Sequence, residues 1–351
     1  MSAKIKRITS QDVANLAGVS RTTVSFVLNN VEGFQISAET RQKVLEAAAQ
    51  LGYVPDSAAQ TLASRRARAI GLVMTRSPHH IASDSFLPQI ISGLLKVTGQ
   101  QNLRLMIEQV SAEHQSQAYL ELARAKRIDG MILLTPRMDD DALRALENAE
   151  IPAVLMGHLP NSNLYSVDVD NRAAAEQAVR HLISLGHRQI ACMTNAPASY
   201  TAAPERVQGY LDALSAAGIS PNPALISYAD FDPESGYERM NSLLRGGEPF
   251  TAVFVASDNV AMGAKAAIRE AGLRVPDDIS MMGFDDIPWS KYADPPLSTV
   301  HLPAEALAQQ ACVMLLDLIQ GQMPPVKHLN LTTELITRKS CRAVEAAEGG
   351  D

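Results

Sequence analysis

Two groups of side chains in this 351-residue chain are placed to do chemistry, and they lie far apart. Near the N-terminus, Arg21, Thr22, Ser25 and Phe26 fall on one side of a short helical pattern whose other side, Val24, Val27 and Leu28, is apolar. A guanidinium, hydroxyls and an aromatic ring on the first turns of such a helix are the groups that meet base edges in a major groove. In the second half, Ser257 and Asp258 end the apolar run AVFVA (252–256), Asp285 and Asp286 end ISMMGF (279–284), and Phe231 follows another strand-like segment. Acceptors at strand ends suit hydrogen bonds from a polar ligand, but capping of the next helix accounts for Asp258, Asp285 or Asp286 equally. Phe231 either stacks on an apolar ligand face or packs in a core. Arg206 opens a helical segment, where a surface arginine is the ordinary case.

Catalysis finds no support in the spacing. No HExxH, GxSxG or P-loop pattern occurs, and adjacent strand residues such as Asp285 and Asp286 point to opposite faces, so they cannot flank a substrate as acid and base. His181 and His187 flank a helix end that Gly186 closes. Cys192, Cys312 and Cys341 are odd in number and lack metal-ligand spacing, which fits a reduced, cytoplasmic setting with neither metal nor cofactor.

The elements that must position these residues are of two kinds. In the head, Thr9 and Asp12 form a capping-box pair, Val13, Leu16 and Ala17 supply an apolar face, and Gly18 ends the helix. Ser20 caps the next helix, and a third runs from Ser37 to about Leu51, with Val44, Ala48 and Leu51 inward and Gly52 and Pro55 beyond. The geometry is that of a helix-turn-helix. The run DSAAQTLASRRAR after Pro55 reads either as a short helix that forms only against a partner, with Leu62 able to wedge into a minor groove, or as a plain basic linker. From Ala69 the texture changes. IGLVM (70–74), LRLMI (103–107), GMILL (130–134), PAVLM (152–156), IACMT (190–194), AVFVA and ISMMGF read as buried parallel strands. Asn171–Leu185, Glu205–Ala217, Pro233–Leu244 and Asn259–Ala271 read as helices between some of them. This is α/β, doubly wound alternation, too long for one sheet, so two lobes with a ligand cleft between them are expected.

Charge follows the same division. The chain totals −7, yet residues 1–68 carry nine Lys/Arg against five acids, a net of +4, which leaves −11 for the remainder. A polyanion partner is thus indicated for the head alone. No N-terminal run has the pattern of a secretory signal, and no apolar run approaches the ~20 residues of a membrane span, so export and a membrane are not expected.

The runs DVANLAGVSRTTVSFVLNN and ISAETRQKVLEAAAQLGYVPDSAAQTLASRRARAIGLV closely resemble the DNA-binding head and hinge of the lactose-repressor (LacI/GalR) family of bacterial transcription regulators. In the body, VDVDN (167–171), HLISLGHRQIA (181–191), ERVQGY (205–210), FDPESGY (231–237), ASDNVAMGA (256–264), LRVPDDISMMGFDD (273–286) and PPLSTVH (295–301) extend the resemblance, leaving out the loop Ser77–Ser85 and the tail after Arg342. It implies a small all-α helix-turn-helix head, 1–55, a hinge helix or linker, 56–68, and a two-lobed core of periplasmic-binding-protein type, 69–342. Lobe 1 would take about 69–166 and 298–326, lobe 2 about 167–297 and 327–342, with a tail at 343–351. The function implied is that of a repressor binding a palindromic operator as a homodimer or tetramer, controlled by a small effector, most often a sugar. DNA contacts would come from Thr9, Ser20, Arg21, Thr22, Thr23, Ser25, Phe26 and Asn29. Ser57, Ala59 and Leu62 would add contacts from the hinge. Effector contacts would come from Phe86, His158, Arg206 and Phe231, together with Ser257, Asp258 and Asp285. Some positions depart from the family pattern. Phe26 stands where a hydrogen-bonding side chain is usual, which favours a thymine methyl as its target. The stretch Asn29–Ser37 is about two residues longer than usual, and His158 stands where many sugar-responsive relatives carry an acid. A transport solute-binding protein is the competing class, and the basic head separates the two.

Overall fold

The computed structural model describes residues 8–28, 34–54, 66–110 and 115–344, in two compact units that divide after Arg68. In the first unit, helices α1 (Ser10–Ala17), α2 (Arg21–Leu28) and α3 (Ala38–Leu51) share a core of Val13, Ala14, Val24, Val27, Val44, Ala47 and Ala48. Thr9 and Asp12 close a reciprocal capping box on α1, and Gly18, at φ +68°, supplies the left-handed residue that lets α2 follow at once. The inward face of α1 differs from the expected one. Val13 and Ala14 are buried while Leu16 is 48% exposed, because packing on α2 and α3 turns the helix so that Ala14, not Leu16, meets them. Of the expected hinge, only residues 66–68 fall within the described residues, and they are not helical.

Among the described residues the second unit holds twelve strands: β1 (Ala69–Met74), β2 (Arg104–Gln109), β3 (Gly130–Leu134), β4 (Ala153–Met156), β5 (Tyr165–Val169), β6 (Ile190–Met193), β7 (Ile226–Ser227), β8 (Ala252–Val255), β9 (Ser280–Met282), β10 (Thr299–His301), β11 (His328–Leu331) and β12 (Glu334–Ile336). Six form a parallel sheet in the order β11-β5-β4-β3-β1-β2, and four form a second in the order β7-β6-β8-β9. Most of these strands are short runs of Val, Ile, Leu and Met buried on both faces, as helix-covered parallel sheets require. The edge strands β2, β7 and β11 are exceptions. β2 leaves Arg104, Ile107 and Gln109 exposed, where a buried strand was expected.

The lobes exchange chain at places other than those expected. β5 runs to Val169 in the first sheet, and β11 pairs with β5, so 167–169 and 328–331 belong to lobe 1. β10 instead pairs antiparallel with β12 and bridges toward β9, so Thr299–His301 sides with lobe 2. The crossings therefore fall near Asp170, Leu302 and Thr332. β11, HLNL, alternates polar and apolar on an exposed edge, which hides it from a search for apolar runs. The tail also starts later than residue 343, since the Val344 amide donates to the Leu185 carbonyl at 2.8 Å.

Candidate functional site

On α2, Arg21 and Thr22 are exposed and Ser25 and Phe26 are half-buried, opposite the buried Val24 and Val27. Arg21 Nε donates to Ser10 Oγ at 3.0 Å, which ties the start of α2 to α1. Thr9, Ser20 and Thr23, also expected at DNA, hold the helix starts: Ser20 Oγ accepts from the Thr23 amide at 3.1 Å, and Thr9 Oγ1 serves the capping box. Asn29, Ser57, Ala59 and Leu62 lie outside the described residues.

In the core, strand order decides where a ligand can sit. From β1 the chain runs outward to β2 and then returns to β3 on the other side; in the second sheet β7 and β8 likewise flank β6. Each sheet thus has a switch point with open strand ends. Both open on one cavity of about 120 Å³, walled by Arg76 after β1, Thr135 after β3, Asp168 in β5, Asn195 after β6, Ser257 after β8 and Asp285 after β9.

Arg206, one of two arginines that line this cavity, is 6% exposed. Its Nε donates to Asn171 Oδ1 at 2.9 Å, its Nη1 donates to the Ala256 carbonyl at 2.6 Å, and its guanidinium lies 3.8 Å from the centroid of the Phe284 ring. Asp285 Oδ1 stands 3.9 Å from Nη1, too long for a direct hydrogen bond, so a planar donor fork and an acid lie side by side on the cavity wall. Asp285 has φ +110° and Phe231 φ +64°, conformations rare for non-glycine residues and concentrated at functional sites. The Phe231 ring takes the Tyr200 ring edge-on at 4.8 Å and the Arg76 guanidinium at 4.9 Å, and Arg76 is itself paired with Asp84 at 2.7 Å. Arg76 Nε and Asn195 Oδ1, both buried, have no partner and remain available to a ligand.

The segment 77–85 crosses the cavity mouth. Asn259 Nδ2 donates to the Ser83 carbonyl at 3.0 Å, Ser85 Oγ donates to Asn259 Oδ1 at 3.2 Å, and His79 Nε2 lies 3.1 Å from Asp232. Beside them, the Met138 amide donates to the Ser199 carbonyl at 2.8 Å. These contacts join the two lobes across the mouth of the cleft.

Phe86, Arg206, Phe231, Ser257 and Asp285 line the cavity. Two expected residues do not. His158 sets its ring edge-on to His328 at 5.6 Å, because Gly157 provides the cavity wall and the chain then turns toward β11. Asp258 is fully buried and occupied: Oδ1 accepts from the Phe284 amide and the Thr299 hydroxyl, Oδ2 from the Ile287 amide and the Ser290 hydroxyl. Asp286 pairs with Arg338 and His301 away from the cavity. Residues that sequence reasoning missed include Asp168 and Asn171, inside the motif VDVDN, and Arg76, Asp84 and Tyr200, whose surroundings carry no pattern.

Burial pushes Asp285 up to about 8 and Asp258 and Glu205 up to about 7, with Arg206 pulling back on Asp285 and Glu205. All three start from ordinary carboxylate values, so between about pH 4 and 8 the folded core keeps protons that the unfolded chain has released. Their contribution to stability is complete below pH 4 and is lost as pH rises through 7–8. We expect the melting temperature of the ligand-free protein to fall between pH 6 and 9 in thermal scans at fixed ionic strength; a flat or rising profile would contradict this assignment.

A helix-turn-helix head joined to a two-lobed ligand cleft is the architecture of a ligand-responsive transcription regulator. Residues 9–56 match the model for bacterial regulatory proteins of the lacI family, and residues 179–341 match a periplasmic binding protein-like domain. The chain is 34% identical over 338 residues to the HTH-type transcriptional regulator CelR of Thermobifida fusca, covering 95% of this chain and 98% of that one. It is 34% identical over 339 residues to the repressor CytR of Escherichia coli K12, covering 96% and 97%. Among solved structures, the lac repressor dimer bound to operator and the anti-inducer ONPF superposes with a TM-score of 0.84 at 33% identity, covering 96% of this chain and all of that one. A CelR–cellobiose complex superposes with a TM-score of 0.73 at 33% identity, covering 95% and 100%. The chain belongs to the LacI family: it is a DNA-binding transcription regulator, and these relatives are regulators, not enzymes. No described helix is long and apolar enough to cross a membrane.

Proposed function

We propose that this protein is a cytoplasmic repressor that binds a palindromic operator as a homodimer, and that a neutral, hydroxyl-rich metabolite in the interlobe cavity sets its DNA affinity. The convergence of both sheet switch points on Arg206, Asp285, Asp168 and Phe231 carries the reading. Charge narrows the ligand. Arg76 faces Asp84 and Arg206 faces Asp285, with Asp168 in addition, so neither guanidinium stands without an acid beside it. A phosphate group would have to compete with these acids for both guanidiniums. An uncharged glycoside can donate hydroxyls to Asp285 and Asp168, accept from Arg206 and Arg76, and lay an apolar ring face on Phe231. CelR, solved with cellobiose, is a relative whose ligand has this chemistry.

The cavity is smaller than the ~300–1,000 Å³ of typical ligand sites, so seating a sugar must part the contacts at its mouth. That movement of the lobes is the means by which the effector reaches the head. A complete switch requires a preference of ~10⁴-fold for one lobe arrangement, and operator must alter effector affinity by the same factor that effector alters operator affinity. The test begins with a thermal-shift screen of neutral sugars, nucleosides and sugar phosphates on the full chain. Hits are then titrated into the protein on an operator selected from random duplex DNA. Stabilisation by a neutral glycoside that also changes operator affinity is expected. A stabilising ligand without effect on operator affinity at fixed salt, or one that must be phosphorylated, would reject the proposal.

A further inference from the structure

The core of the head leaves out two large aromatic side chains. Neither Phe26 nor Phe34 belongs to the cluster of Val13, Val24, Val27 and Val44 or to the side chains packed around it. Instead they stack on one another, with ring centroids 4.0 Å apart and planes 23° apart, and Phe34 remains 56% exposed. Phe34 comes from the stretch between α2 and α3, which is longer than the family pattern, and it is brought back onto the outer face of α2.

That face is the one the reading above assigns to DNA. Phe26 lies four residues after Thr22 and one after Ser25, so the three share a helix surface that looks away from Val24 and Val27. An apolar ring in this place has one good partner on a base edge, the thymine methyl. Two rings stacked at 4.0 Å match the ~3.4 Å rise between successive base pairs along a strand. The head's net charge of +4 draws it to the duplex, and the ring pair supplies the apolar contact that charge cannot.

We propose that Phe34 is a further base-reading side chain, which together with Phe26 makes the head select thymine at two successive positions of each operator half-site. This rests on the regulator reading with α2 in the major groove and adds to it a residue and a preference.

The test selects duplexes from a random pool with the full-length wild type, Phe34→Ala, Phe34→Leu and Phe26→Ala. Binding of the selected duplex is then measured with deoxyuridine replacing each thymine in turn, which removes only the methyl. For the wild type, the swap at either of two adjacent positions should weaken binding about fourfold per half-site, the worth of one buried methyl-sized group. Phe34→Ala should lose sensitivity at one position and keep it at the other, Phe26→Ala should do the reverse, and Phe34→Leu should keep part of the discrimination. An unchanged motif with both penalties intact in Phe34→Ala would overturn the proposal. Loss of both penalties together would also overturn it, because Phe34 would then only position Phe26. If Phe34→Ala binds no DNA at all, including scrambled duplex, Phe34→Leu decides by the same criterion. Failure of the wild type to enrich any motif would refute the regulator reading itself.

Discussion

Asp258→Ala should destabilise the core by about 3–5 kcal/mol, because it leaves buried donors unpaired. The carboxylate is fully buried and collects the amides of Phe284 and Ile287 and the hydroxyls of Ser290 and Thr299. The hydroxyls can rotate to other acceptors; the two amides cannot, and each orphaned buried N–H costs about 1–3 kcal/mol. Gly283 shows how closely the segment is fitted, since a Cβ there would stand 2.1 Å from Asp258 Oδ1. For a domain of this size, such a loss lowers the melting temperature by roughly 10 °C. Asp258→Asn should cost about half as much, as it keeps an acceptor for Phe284 and Thr299 and loses the one for Ile287 and Ser290. Both variants should also lose effector binding, because the held segment carries Asp285. Thermal and chemical denaturation check the order. Equal stability of Asp258→Ala and wild type would show that the network is not a support for this lobe.

Asp258 also shows where reading the sequence succeeds and where it stops. Its type and position at a strand end mark it as important, but whether it faces a ligand or the protein depends on Ser290 and Thr299, more than thirty residues further on. The architecture was readable because strands buried on both faces and amphipathic helices leave local patterns, and the head because capping residues and Gly18 act within a few positions. Arg206, Phe231 and Asp285 were reached mainly through resemblance, whereas Arg76, Asp84 and Tyr200 were missed: Arg76 and Tyr200 enter the cavity through contacts with the distant Phe231, and Asp84 through its pair with Arg76. β11 and the lobe crossings were misplaced for a related reason, since an exposed edge strand of four residues has almost no signal of its own. Phe34 sat in a stretch noted only for its length, and nothing local announces that its ring returns to Phe26.

Arg206→Ala should abolish the response to effector while leaving the head able to bind DNA. The guanidinium is held by Asn171, the Ala256 carbonyl and the face of Phe284, so it is fixed in place before any ligand arrives. A ligand oxygen received by such a charged donor gains about 1.5–3 kcal/mol per hydrogen bond, and a planar fork can make two. Losing both corresponds to at least a hundredfold weaker binding. Removing the cation also leaves Asp285, Asp168 and Glu205 without the charge that now pulls them back toward ordinary values. Their affinity for protons must then rise further, so the protonated form that Asp285 already favours at neutral pH persists to higher pH, and the fall of stability with rising pH extends upward. Arg206→Lys keeps the charge but cannot span Asn171 and Ala256 together, and it should recover the pH profile without recovering affinity. Calorimetric titration of the effector, with operator binding measured alongside, separates these outcomes. Full effector affinity in Arg206→Ala would remove this arginine from the binding site.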